Sequence, residues 1–101
     1  MSFEQINGRW YFFSEQRTSA NGIVRIDTLN NQEAYLEFNA DKSFRSTKDG
    51  SGFYEIGMDS LYINYRRYED EDYRRFGFRY ILSGDDLGLV EGNVQLNLKR
   101  L

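Results

Sequence analysis

At 101 residues the chain is the size of one domain, spanning 1–101, and it contains no cysteine, histidine or proline. That composition excludes disulfides, thiolate and imidazole metal sites and Ser-His or Cys-His nucleophilic chemistry, while leaving long strand ladders free of proline breaks. A net charge of −3, with 13 basic and 16 acidic residues interspersed, points to no particular partner and argues against a dedicated nucleic-acid binder.

In chain order, residues 8–14 open with Gly8-Arg9-Trp10 and continue Tyr11-Phe12-Phe13. Strand alternation sends Trp10 and Phe12 inward and leaves Tyr11 and Phe13 outside to cover a partner, a dimer mate or the next connection. The polar stretch SEQRTSAN, residues 14–21, reads as the one long mobile connection. Runs 22–28 and 33–39 follow, separated by Leu29-Asn30-Asn31-Gln32, and then runs 43–47, 52–56 and 60–67. The clearest alternation is Phe76-Gly77-Phe78-Arg79-Tyr80-Ile81-Leu82, followed by runs 87–91 and 94–99. Reversal signals stand between them: Asn39-Ala40-Asp41-Lys42, Lys48-Asp49-Gly50-Ser51, Gly57-Met58-Asp59, Gly84-Asp85-Asp86 and Glu91-Gly92-Asn93. Gly, Asn and Asp there supply the positive φ angles and side-chain turns of tight reversals.

No 12-residue window of the chain shows a helical period. The pattern is all-β: an antiparallel up-and-down meander closing into a small barrel of about eight strands, since closure abolishes edges that invite aggregation. Nine runs are one too many or one too few for antiparallel closure, so either 22–28 or 43–47 is expected to lie outside the barrel or a tenth strand to complete it. The expected core includes Trp10, Phe12, Val24, Ile26, Leu36, Phe38, Phe44, Tyr54, Leu61, Ile63, Phe76, Phe78, Leu89, Leu96 and Leu98. The longest clean apolar run, Trp10-Tyr11-Phe12-Phe13, is far short of the ~20 residues of a membrane helix. No leader pattern begins at Met1 and no lipidation motif is present. The expected compartment is therefore the cytoplasm, or outside it if a leader has been removed.

The near-palindrome YRRYEDEDYRRF, residues 65–76, reads as a hairpin. With Tyr68 facing Tyr73, Arg67 faces Arg74, Arg66 faces Arg75, Tyr65 faces Phe76 and, further in, Ile63 meets Phe78 and Leu61 meets Tyr80. Directly opposed arginines repel, and the four acids beyond them can neutralise them as a solvated tip. The functional reading places Arg67 and Arg74 at the barrel rim, where forked guanidinium groups suit a carboxylate or phosphate. The tail of such a ligand would lie on Tyr54, Tyr65, Phe76, Phe78 and Tyr80. A calcium loop is disfavoured because the D-x-[DN]-x-[DN]-G spacing is missing. Residues 74–80 match an RNA-binding sheet signature only in part, with Arg75 at its glycine and Arg79 at its aliphatic position.

The opening Gly8-Arg9-Trp10, the segments Tyr35-Leu36-Glu37-Phe38-Asn39-Ala40-Asp41-Lys42-Ser43-Phe44 and Gly52-Phe53-Tyr54-Glu55-Ile56, and the ending Leu96-Asn97-Leu98-Lys99-Arg100 together resemble the small bacterial lipocalin-like domains of the calycin superfamily. Asp72-Tyr73-Arg74-Arg75-Phe76 is similar to the aspartate-tyrosine motif of longer lipocalins. The resemblance implies that Trp10 closes one end of the barrel and that Arg100 packs across its ring as the structural partner. In an even-stranded meander the first strand starts where the last one finishes, and a guanidinium over an indole contributes about 0.5–2 kcal/mol.

The function expected from these readings is non-catalytic binding of a small apolar or anionic amphipathic ligand, with no cofactor and no metal. The alternative is a solid barrel acting as a protein-protein interaction module, as a homodimer or with another protein. Single-stranded nucleic-acid binding is a distant third.

Overall fold

The computed structural model describes residues 6–48 and 50–101. Met1, the position read for a leader, and Asp49 of the expected turn at 48–51 lie outside them. Among the described residues eight strands form: β1 Gly8–Thr18, β2 Val24–Phe38, β3 Ser43–Ser46, β4 Gly50–Ile56, β5 Ser60–Arg66, β6 Arg74–Ser83, β7 Asp86–Glu91 and β8 Val94–Arg100. Each pairs antiparallel with the next, and β1 pairs with β8 from Trp10 opposite Arg100 to Arg17 opposite Val94, so the meander closes into a barrel. No helix among the described residues is long and apolar enough to cross a membrane.

The surplus ninth run disappears because 22–28 and 33–39 are one strand, and neither 22–28 nor 43–47 lies outside the barrel. Asn30 does take the positive φ that its turn signal demands, 43°. The result is a bulge and no reversal: Tyr11 faces Tyr35, yet the next residue, Phe12, faces Asn31. The Asn31 side chain accepts the Glu33 N–H at 3.1 Å, holding the extra residues in place. Nor is 14–21 a mobile connection. β1 runs through it to Thr18, laddered to β2 on one edge and β8 on the other. The true reversal is short, with Gly22 at φ 85° and the Ser19 N–H donating to the Ile23 carbonyl at 2.8 Å. Polarity misled here because this hairpin has little core to cover: Val24 and Ile26 are 52% and 62% exposed and are no part of the core.

The register of β5 with β6 also differs from expectation, by two residues. Tyr65 faces Arg74, Asn64 faces Arg75, Ile63 faces Phe76 and Leu61 faces Phe78. A two-residue slip leaves every side chain on its expected face. It takes Arg67 out of opposition to Arg74 and places the Asn64 side-chain oxygen 3.3 Å from Arg75, where it accepts a hydrogen bond. The Tyr65 and Phe76 rings stack diagonally across the pair, centroids 5.4 Å apart. Among the described residues no carboxylate of 69–72 forms an ion pair with an arginine. Arg66 instead donates to the Glu69 carbonyl at 2.8 Å and so organises the tip through its main chain.

The core fills the barrel from the end where β1 starts. Trp10, Phe38, Tyr54, Leu61, Leu87 and Leu98 are almost fully buried there, joined by Ile6 of the preceding segment. Tyr11 and Phe13 face outward and are half-buried; the Lys99 ammonium lies 4.7 Å from the Phe13 ring.

Candidate functional site

One end of the barrel is plugged. The Trp10 indole N–H donates to the Ile6 carbonyl at 2.8 Å, and the Arg100 guanidinium carbon lies 4.2 Å from the Trp10 ring centre. Arg100 also donates to the Asn7 carbonyl at 2.7 Å and reaches Asp85 at 3.2 Å. Gly8, at φ 125°, makes room for this arrangement, since a Cβ there would lie 3.0 Å from the Arg100 guanidinium. The Tyr54 hydroxyl donates to the Asn39 carbonyl at 2.8 Å and sits 2.9 Å from the Asn7 side chain. Indole, phenol and guanidinium thus tie residues 6 and 7 across the mouth.

Burial, and secondarily the charge of Asp41, raises the Tyr54 phenol above its ordinary value. Above pH ~10 the unfolded chain ionises this phenol first, so folding releases less of its free energy as pH rises toward the folded-state value. The midpoint of urea unfolding is expected to fall between pH 9 and pH 11, with a shallower fall in Tyr54→Phe; equal slopes in both proteins would contradict this origin.

The opposite end is open. Above the plug lies an apolar cup of about 230 Å³. Phe12, Leu36 and Phe44 form one wall, Ile63, Tyr65, Phe76 and Phe78 another, and Leu89, Glu91 and Leu96 complete it. Seven of the eight strands contribute; β4 does not. The positions of β4 that alternate with buried Tyr54 are Gly50 and Gly52, where the strand presses against β5 so closely that a Cβ would meet the Arg66 and Asn64 carbonyls at 2.2 and 1.9 Å.

The predicted ligand set divides among three places. Tyr65, Phe76 and Phe78 line the cup. Arg67 and Arg74 border a smaller depression of about 170 Å³ beside the rim, with Tyr68 and Glu71. Tyr54 belongs to the plugged end, and Tyr80 is drawn away from the cup by its hydroxyl, which donates to the Gly57 carbonyl at 3.0 Å. Missing from the predicted set is Lys48, whose ammonium lies 5.4 Å from the Phe12 ring and whose carbonyl accepts from Arg67 at 3.4 Å. Glu91 is the acid of the cup lining and was not expected either. Glu91 ends the run 87–91 in phase with Leu87 and Leu89, an alternation that could have placed it inward. Lys48 stands in no such run, and only the closed barrel brings the β3–β4 turn beside β1. Among the described residues no group of three or more acids is gathered to hold a metal ion.

No known family, curated protein or solved structure matches the chain.

Proposed function

We propose that the protein is a non-catalytic, lipocalin-like barrel that binds a small amphiphile, its apolar part in the cup and its anionic group at the rim. The observation that carries this reading is the apolar cup of about 230 Å³ opposite the Trp10 plug. Eight antiparallel strands and the Trp10–Arg100 stack support the lipocalin-like assignment. An apolar cavity of ~150 Å³ holds a benzene ring, whereas drug-sized ligands occupy ~300 Å³ or more. The occupant is accordingly a single ring or a short acyl chain. Lys48 and Arg67 supply positive charge on one side, while Glu91 on the other repels a second acid from the cup.

Titrating the protein with hexanoate, octanoate and phenylacetate, and with hexanol as the neutral control, tests this by NMR. The amides of Phe44, Ile63, Leu89 and Leu96 are expected to shift, with carboxylates binding more tightly than the alcohol. Leu96→Trp, which fills the cup, is expected to abolish the shifts while keeping the fold. The joint replacement Lys48→Ala and Arg67→Ala should remove the preference for carboxylates. Absence of any saturable shift with these compounds overturns the reading.

A second reading rests on the outer wall of β4, β5 and β6. Phe53, Tyr62 and Tyr73 are exposed there. Arg66 stacks over Tyr73 and Arg75 over Tyr62, both at 4.5 Å. Exposed aromatic and arginine side chains are the usual anchors of protein interfaces, which favours an interaction module if the cup proves empty.

A further inference from the structure

Only the last residues of β2, Leu36 to Phe38, ladder with β3. Among the described residues nothing pairs with 24–34 on the edge away from β1. An edge this long is normally shortened, charged or covered. Which main-chain groups it offers follows from the hairpin turn. Because the Ser19 N–H donates to the Ile23 carbonyl, antiparallel alternation turns the N–H and C=O of Arg25 and Asp27 toward β1. Those of Val24, Ile26 and Thr28 then point to the free edge. The register is regular throughout this stretch, from Thr18 opposite Val24 to Ser14 opposite Thr28.

We propose that this edge pairs with the same edge of a second copy of the chain, antiparallel, about a two-fold axis through Ile26. In that register Ile26 faces Ile26 of the second copy, Val24 faces Thr28, Ile23 faces Leu29 and Arg25 faces Asp27. Every unlike pair is made twice, as a two-fold interface requires. The outward groups of Val24, Ile26 and Thr28 would form roughly six main-chain hydrogen bonds. The apolar side chains this covers are otherwise wet: Ile23, Val24, Ile26 and Leu29 are 64%, 52%, 62% and 43% exposed.

The charges select this register over its neighbours. Arg25 and Asp27 now contact each other along one strand at 3.4 Å. With the axis at Ile26 each gains the opposite charge directly across the ladder. Moving the axis by one residue sets Arg25 against Arg25 or Asp27 against Asp27, and like charges in direct opposition destabilise a ladder. Moving it by two, to Val24 or Thr28, places Arg25 against Ile23 or Asn31 and loses the match.

Sedimentation equilibrium of the full chain, up to about 1 mM protein, reads the outcome directly. The wild-type mass is expected to rise from 12.0 kDa toward twice that value. Arg25→Asp and Asp27→Arg should each weaken dimerisation about tenfold or more, because both facing pairs become like-charged. The double exchange R25D/D27R should restore the dimer. So should an equimolar mixture of the two single variants, in which each chain carries one sign and meets the other. Ile26→Lys should be monomeric, and unchanged circular dichroism shows that these exposed substitutions keep the fold. A wild type that stays monomeric overturns the proposal, even if its free edge captures an extended segment of another protein. So does a dimer that both single charge reversals leave intact.

Discussion

Trp10→Ala is expected to cost about 3–5 kcal/mol, as large aromatic deletions from packed cores do. For a domain of this size that lowers the melting midpoint by on the order of 20 °C. The total stability of such a domain is about 5–15 kcal/mol, so the variant sits near the limit of folding at 37 °C. The size of the effect comes from three roles held by one side chain. Trp10 is completely buried, its N–H satisfies the Ile6 carbonyl, and its face supports the Arg100 guanidinium. Removing it leaves a cavity, an unpaired carbonyl and an unsupported cation. Arg100→Leu removes the stacked cation together with its bonds to the Asn7 carbonyl and Asp85. It should cost only about 1–2 kcal/mol, since part of the guanidinium reaches water and the apolar stem is replaced. Thermal and urea unfolding of both variants and of the double variant check this. If the two losses simply add, the ring and the guanidinium are energetically independent and the stack contributes nothing measurable.

The all-β architecture was legible because its signal is local. A run such as Val94-Gln95-Leu96-Asn97-Leu98-Lys99 states its inward face two residues at a time, and Leu98 is buried where alternation puts it. Strand count was less legible, since Asn30 in the left-handed region suits a reversal and a bulge equally well. Whether the chain turns back at such a residue depends on what lies across the ladder. Here β1 continues past it to Thr18, so β2 continues too. The polar residues of that hairpin hid its strand character for the same reason. Alternation reports burial, and a hairpin with little beneath it has none to report.

The candidate cup was legible in its faces and not in its depths. Tyr65, Phe76 and Phe78 do turn into the cup, whereas Tyr54, on the same inward face, is at the plugged end. Period-two patterning fixes which side of the sheet a residue occupies. Height along the axis depends on register and stagger, which no single strand encodes. The hairpin of β5 and β6 shows how small differences matter. Either register buries the same apolar set, so the apolar pattern alone cannot choose between them. Opposed arginines decide it: the observed register gives Arg75 a carboxamide partner and takes Arg67 into the loop, beside the Lys48 carbonyl. A cation at the mouth was expected from the arginines. That Lys48 joins it could not be read, because its turn meets Phe12 only after closure.

Gly52→Ala is the second large effect, and it tests how the barrel makes its cup. A Cβ at this position would lie 1.9 Å from the Asn64 carbonyl oxygen and 2.9 Å from the Tyr65 Cα. Both atoms are main chain, so no rotamer change relieves the overlap; β4 and β5 must separate. Ordinary overpacking costs about 1–3 kcal/mol through side-chain adjustment, and a displaced ladder should reach or exceed the top of that range. Gly57→Ala is the control, with its nearest contact an ordinary 3.7 Å; it should shift the midpoint by less than about 1 kcal/mol. The distinguishing measurement is amide exchange. Separation of β4 from β5 should speed exchange at Phe53 and Asn64, whose amides point into that ladder, more than at Leu89 and Leu96 across the barrel. Uniform loss of protection would mean that the strain is spread over the whole sheet. A Gly52→Ala protein as stable as the wild type would mean that β4 can move outward freely. Its glycines would then have no part in shaping the space above Tyr54.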